Sequence, residues 1–147
     1  MIGRTTTGEV LLEVGGVGYR VLVPLSAIPS LEVGANTFLF THTYVRDDAI
    51  VLYGFPSRDE RETFDALIGA NGVGPKLALA ILSVHTPTSL RRCLTEDDLD
   101  GLVMVPGVGK RTAQRLLIEL KARLEVPDLD LAGVPGAPAH SARVEVR

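Results

Sequence analysis

The chain has 147 residues, 46% of them hydrophobic, with a mean hydropathy of +0.23, enough for one ordinary domain or two small ones with buried cores. No apolar run approaches the ~20 residues of a transmembrane helix, Met1-Ile2-Gly3-Arg4 lacks the apolar stretch of a secretory signal, and the single cysteine, Cys93, excludes an intramolecular disulfide and a multi-cysteine metal site. The net charge of −3 hides a segregation: residues 1–66 carry 5 basic and 9 acidic side chains, 67–123 carry 8 and 5, and 124–147 carry 2 and 4. A basic surplus in the middle segment suits a polyanion better than the chain total implies. A soluble cytoplasmic protein is expected, with no membrane partner.

The first 55 residues read as strands. Val10–Val14 and Tyr19–Val23 are rich in branched side chains and are separated by Gly15-Gly16-Val17-Gly18, a hairpin signal, with Pro24 ending the second. Asn36–Val45 and Ala49–Phe55 follow, joined at Arg46-Asp47-Asp48. About five short strands in so short a stretch point to a small barrel of the OB type. After Pro56 the period changes to that of a helix. Ser57-Arg58-Asp59-Glu60 has the form of a capping box, and Phe64, Leu67 and Ile68 share one helical face. Further helices are expected from Pro75 to about Val84, around Ser89–Leu94, over Glu96–Met104 and over Lys110–Leu124. In the last, Ala113, Leu116, Leu117, Leu120 and Leu124 recur at three and four, an amphipathic stripe whose ordinary meaning is core packing. Cys93 lies in the helical stretch Leu90–Leu94 and reads as a packing residue. From Val126 onward Pro127, Gly133, Pro135, Gly136 and Pro138 read as a flexible linker.

An internal repeat stands out. LIGANGVGPKLALAILS from Leu67 and LVMVPGVGKRTAQRLLI from Leu102 align at an offset of 35 residues. Gly72, Val73 and Gly74 match Gly107, Val108 and Gly109; Lys76 matches Arg111, Ala78 matches Ala113, and Ile81 and Leu82 match Leu116 and Leu117. Each unit is an apolar helix, a Gly-Val-Gly turn, a basic residue and a second apolar helix. Glycines at the turn tolerate positive φ and let another backbone approach. The helix that follows opens with unpaired N–H groups and a positive dipole end, where an anion can sit. Lys76, Lys110 and Arg111 add charge there, and Pro75 at the first helical position sacrifices no needed donor. One Gly-Val-Gly turn would ordinarily be structural; two in register with basic residues favour anion binding. Neither copy has the spacing of a Walker A loop, and both follow helices instead of strands, which also rules out a dinucleotide fingerprint.

The unit resembles the helix-hairpin-helix motif of DNA-binding proteins, whose turn is Gly-hydrophobic-Gly. More widely, MIGR at the start, EVGGVGYRV (13–21), FTHTYVRDDAIVLYGF (40–55), NGVGPKLALAILS (71–83) and VPGVGKRTAQRLL (105–117) resemble the RuvA family of Holliday-junction-binding subunits. The resemblance spans residues 1 to about 125. It implies an α+β protein: an N-terminal five-stranded OB-fold barrel over 1–64, an all-α tandem helix-hairpin-helix domain over 65–126, and a linker over 127–147. The third domain of that family, which contacts the hexameric motor RuvB, is expected to be missing from this chain. Implied partners are four-way junction DNA and further copies of the chain in a homotetramer, single or paired. No cofactor, metal or catalytic site is implied; the family member is the non-catalytic subunit of an ATP-dependent branch-migration complex. Carried over by motif, Asn71, Gly72, Gly74 and Lys76 serve the first hairpin, and Gly107, Gly109, Lys110 and Arg111 the second, with Arg115 one turn further on. The family's acidic pin falls on Asp47 and Asp48, and Arg46 would hold a phosphate beside it. Two aspartates in a turn otherwise read as solvated turn formers.

The rival class is a helix-hairpin-helix DNA glycosylase or lyase. The lyase lysine of such enzymes would fall where this chain has Arg111, and a guanidinium forms no Schiff base at neutral pH. Their aspartate beyond the hairpin helix also finds no match, since no aspartate occurs between Lys110 and Asp128. A nuclease would need clustered carboxylates for metal; Asp47-Asp48 and Glu96-Asp97-Asp98 are the dense clusters, and the second reads as the first turn of a helix capped by Thr95. His42, His85 and His140 show no partner pattern and read as structural or exposed.

Overall fold

The computed structural model describes residues 3–4 and 8–124, which form two compact units that part between Arg61 and Glu62. The linker expected over 127–147, and His140 within it, lie outside the described residues. The first unit is one sheet: β1 (Gly3–Arg4), β2 (Glu9–Val14), β3 (Val17–Leu22), β4 (Phe40–Val45) and β5 (Ile50–Phe55), in the order β1-β2-β3-β5-β4. Alternation sets its inner face. Val10 and Leu12 are buried while Leu11 between them is exposed, as a period of two requires. They pack with Val21, Val23, Ala27, Leu31 and Leu39 into one core.

β2 and β3 form an antiparallel hairpin turning at Gly15-Gly16, and β4 and β5 form another turning at Asp47-Asp48. The hairpins join through a short parallel pairing, Val21 opposite Leu52 and Leu22 opposite Tyr53. Because β3 and β5 run the same way, both hairpin tips lie at the same end of the sheet. This mixed pattern of hairpins joined by one parallel contact is OB-like. The strand expected over Asn36–Val45 begins only at Phe40. Its ladder with β5 ends at the pair Phe40–Phe55, after which Pro56 has no N–H to donate, so Asn36–Leu39 have nothing to pair with on that side. The chain before them forms a 3-10 turn over Leu25–Ser30.

The helical unit follows from capping and period. α1 (Arg58–Ile68) starts at the expected capping box: the Glu60 N–H donates to Ser57 Oγ at 3.2 Å, and the Ser57 N–H donates back to Glu60 Oε2 at 3.2 Å. α2 (Pro75–Val84) and α5 (Lys110–Leu124) have the predicted bounds. α3 runs from Pro87 to Thr95, longer than expected, because the Thr86 side chain accepts from the Ser89 N–H and Pro87 fits the first helical position. α4 is shorter than expected, Leu99–Val103 instead of Glu96–Met104. Thr95 is not its cap. The Thr95 hydroxyl donates to Arg91 O within α3, and Asp98 caps α4 by accepting from the Gly101 N–H at 3.1 Å. Asp97, between the two helices, takes a left-handed φ of 53° and pairs with Lys121 of α5. The carboxylate cluster is therefore a helix junction, with one residue capping and one ion-paired.

α5 packs against α3 and α4. Its stripe is buried at Ala113, Leu116, Leu120 and Leu124, with Leu117 at the half-buried edge. Cys93 is buried as expected, and burial, with Asp98 alongside, pushes its thiol pKa up, so it stays protonated and unreactive.

Candidate nucleic-acid interface

The two copies of the repeat fold alike down to single hydrogen bonds. Ala70 N–H donates to Leu67 O at 3.0 Å, and Val105 N–H donates to Leu102 O at 3.1 Å. Val73 N–H reaches Ala70 O at 3.2 Å, and Val108 N–H reaches Val105 O at 3.0 Å. Ala78 N–H closes on Gly74 O at 3.0 Å, and Ala113 N–H on Gly109 O at 2.9 Å. Every one of these pairs obeys the offset of 35 residues. The first glycine of each turn has positive φ, 81° at Gly72 and 88° at Gly107. A β-branched residue there would be strained, which explains glycine at both positions. Val73 and Val108 are buried plugs beneath the turns, and Leu67, Leu102, Ala78, Ala113, Ile81 and Leu116 are fully buried.

What remains outside is what an anion would meet. Asn71, Gly72, Gly74 and Lys76 are exposed or partly exposed in the first turn, and Gly107, Gly109, Lys110 and Arg111 are exposed in the second. A Cβ built on Gly74, Gly107 or Gly109 would meet open space, so at these three points the bare backbone faces solvent. α2 and α5 each start there, presenting their positive dipole ends. Lys76, Lys110, Arg111 and Arg115 make no ion pair among the described residues, whereas Lys121 is engaged by Asp97. The charge at the turns is thus unspent.

The repeat also breaks in informative ways. His85 occupies the place of Leu120. It is buried, with Nε2 2.7 Å from Gly101 O and Nδ1 3.0 Å from Ser89 Oγ. Gly101 O only accepts, so in the neutral ring Nε2 carries the proton and Nδ1 accepts from Ser89. His85 therefore ties the end of the first hairpin to α4 of the second, a structural role. The second break concerns two arginines of α5. The Arg115 guanidinium lies over Gly72, with Nη2 2.7 Å from where a Cβ would stand, and the Arg123 guanidinium lies over Gly69 in the same way, with Cζ at 2.9 Å. Arg115, placed by the sequence one turn beyond the second hairpin's residues, has its guanidinium on the first turn. Arg123 was not singled out from the sequence, because helical phase alone does not say which basic residue of α5 reaches back to that turn.

In the first unit, Arg46, Asp47 and Asp48 are all exposed at the β4–β5 tip. The Arg46 N–H donates to Ala49 O at 2.8 Å, closing the tight turn and leaving both aspartates at its apex. The flanking Val45 and Ile50 are 70% and 71% exposed, so the tip stands clear of the core.

Among the described residues, no helix is long and apolar enough to cross a membrane, and no group of three His, Cys, Asp or Glu side chains is disposed to hold a metal ion. Comparison with known proteins matches residues 2–54 to the family model described as the RuvA N terminal domain, and residues 64–122 to that of a SAM-like helix-hairpin-helix tandem. Curated relatives named Holliday junction branch migration complex subunit RuvA come from Methylibium petroleiphilum, at 47% identity over 99% of this chain and 79% of the relative, and from Thermobifida fusca, at 46% identity over 90% and 65%. A third, from Vibrio cholerae, is 44% identical over 92% of this chain and 69% of its own length. The chain spans 65% of the length of the relatives from Thermobifida fusca and Histophilus somni. Two family models in series and identity of this level along most of its length establish that the chain belongs to the RuvA family.

Proposed function

We propose that this chain binds four-way DNA junctions by their shape, as a homotetramer in which each protomer grips the phosphate backbone with its two hairpin turns. The observation that carries this reading is the duplicated turn: the same hydrogen bonds, the same positive-φ glycine and unpaired basic side chains in both copies. Contacts from Asn71, Gly72, Gly74, Lys76, Gly107, Gly109, Lys110, Arg111 and Arg115 go mainly to phosphate and position the protein without reading bases. Specificity then comes from matching a fourfold protein to a four-armed DNA. The relatives' name supports a place in a branch-migration complex. In that complex the chain is a non-catalytic subunit that holds the junction open for the ATP-driven motor RuvB. The motor contact belongs to the family's third domain and not to the strand and helical units. The test is a gel shift of a four-way junction against duplex of equal length, with base release and strand cutting assayed in parallel. Preferential binding of the junction without either reaction is expected. Base release or cutting would select a glycosylase or lyase instead.

The acidic tip adds a second element to the reading. In a tetramer four copies of Asp47-Asp48 meet at the centre, against the crossover phosphates, with Arg46 holding a phosphate nearby. Like charges ~4–6 Å apart repel by on the order of 1 kcal/mol even in water, and by more where water is excluded. That repulsion keeps separated strands apart and limits binding of the crossover itself. Asp47→Asn with Asp48→Asn is expected to retain junction binding while changing the preference among junction forms, read by gel shift of open and stacked four-way junctions. A double variant with unchanged preference would remove the pin from the account.

A further inference from the structure

We propose that Arg123 is a further phosphate-binding residue, and that with Arg115 it forms a guanidinium track along α5 that extends the first hairpin's grip beyond Lys76. The proposal rests on the phosphate clamp put forward under the proposed function. It starts from an asymmetry between the two copies of the repeat. In the second turn, Gly107 carries nothing above it. In the first, both flanking glycines are covered by guanidiniums from a helix that belongs to the other hairpin: Arg115 on Gly72 and Arg123 on Gly69. At Gly69 the repeat has Met104, 69% exposed, so the second copy offers no such seat.

A guanidinium is planar and lies flat only where no side chain stands in the way. Gly69 provides that seat without needing an unusual backbone, since its φ is not among the positive ones. Both arginines are exposed, and neither makes an ion pair or hydrogen bond among the described residues. Each guanidinium thus rests against a glycine backbone, with its donors open to solvent. Arg123 follows Arg115 by eight residues, about 12 Å along a helix axis. The spacing is longer than one phosphate-to-phosphate step, so the two would address separate phosphates. Lys121, in the same last turn, is drawn away to Asp97 and does not join the track.

The test is the salt dependence of binding of the full chain to a synthetic four-way junction. Arg123→Ala is expected to weaken binding about tenfold, as removal of an exposed charge-assisted hydrogen bond does. It should also make the plot of log K against log salt shallower by about 0.9 for each phosphate that is no longer neutralised. Arg123→Lys, which keeps the charge, should restore most of the slope. Gly69→Ala changes no charge, yet its methyl occupies the guanidinium's seat, so it should weaken binding in the same direction. Combined with Arg123→Ala, it should add nothing. All variants are compared below their melting midpoints, so that unfolding is not read as weakened binding. Wild-type affinity and slope in Arg123→Ala, with Lys76→Ala weakened, would overturn the track while leaving the clamp intact. If Lys76→Ala were also unchanged in both, the clamp itself would fall, and the track with it.

Discussion

Replacing Lys76, Lys110 and Arg111 together by alanine is expected to lower affinity for a four-way junction by on the order of 100-fold or more, since hydrogen bonds to charged groups are each worth about 1.5–3 kcal/mol. The three side chains lie at the surface and are unpaired, so their removal takes little from the folded state. Surface changes of this kind stay within about 0.5 kcal/mol each. The expected signature is a large loss in a gel shift with a nearly unchanged melting midpoint. A variant that binds as tightly as the parent would show that the turns hold no phosphates. A variant that no longer folds would show that these cations support the helices and are not a reserve of binding charge.

The second large effect lies beneath the turns. Leu116 is fully buried in α5 and matches Ile81 of the first copy, while Ile118, two residues on, is 72% exposed. Leu116→Ala is expected to cost about 2–5 kcal/mol, as truncation of a buried leucine does. In a unit of this size that lowers the melting midpoint by roughly 10 °C or more. Ile118→Ala should remain within about 0.5 kcal/mol of the parent. Circular dichroism melts of the two variants decide the matter. Comparable losses at both sites would mean that α5 turns a different face to the core.

Much of this was legible in the sequence because short-range physics dictates it. The offset between Gly72-Val73-Gly74 and Gly107-Val108-Gly109 was visible as letters, and each letter has a local cause: a positive φ, a plug or a helix start. The bounds of α2 and α5 followed from Pro75 and from the leucine stripe. Where reading failed, a competing local bond or a missing partner decided. Thr95 and Asp98 are both good caps, and the choice of Asp98 depended on Thr95 turning its hydroxyl back to Arg91. Asn36–Leu39 looked extended, yet a strand needs a neighbour, and Pro56 ended the one available. The seats of Arg115 and Arg123 on Gly72 and Gly69 depend on how α5 crosses the first turn. That is tertiary geometry, which neither charge nor period encodes.

The central claim is that the paired turns hold DNA through its phosphates, and the salt dependence of junction affinity tests it most directly. A tetramer with two hairpins in each protomer would make on the order of eight phosphate contacts, and for 6–10 contacts affinity falls about 10³–10⁵-fold between 50 and 200 mM salt. The account predicts a straight line of log K against log salt, descending by that much over that range. A junction affinity that hardly changes with salt would contradict it.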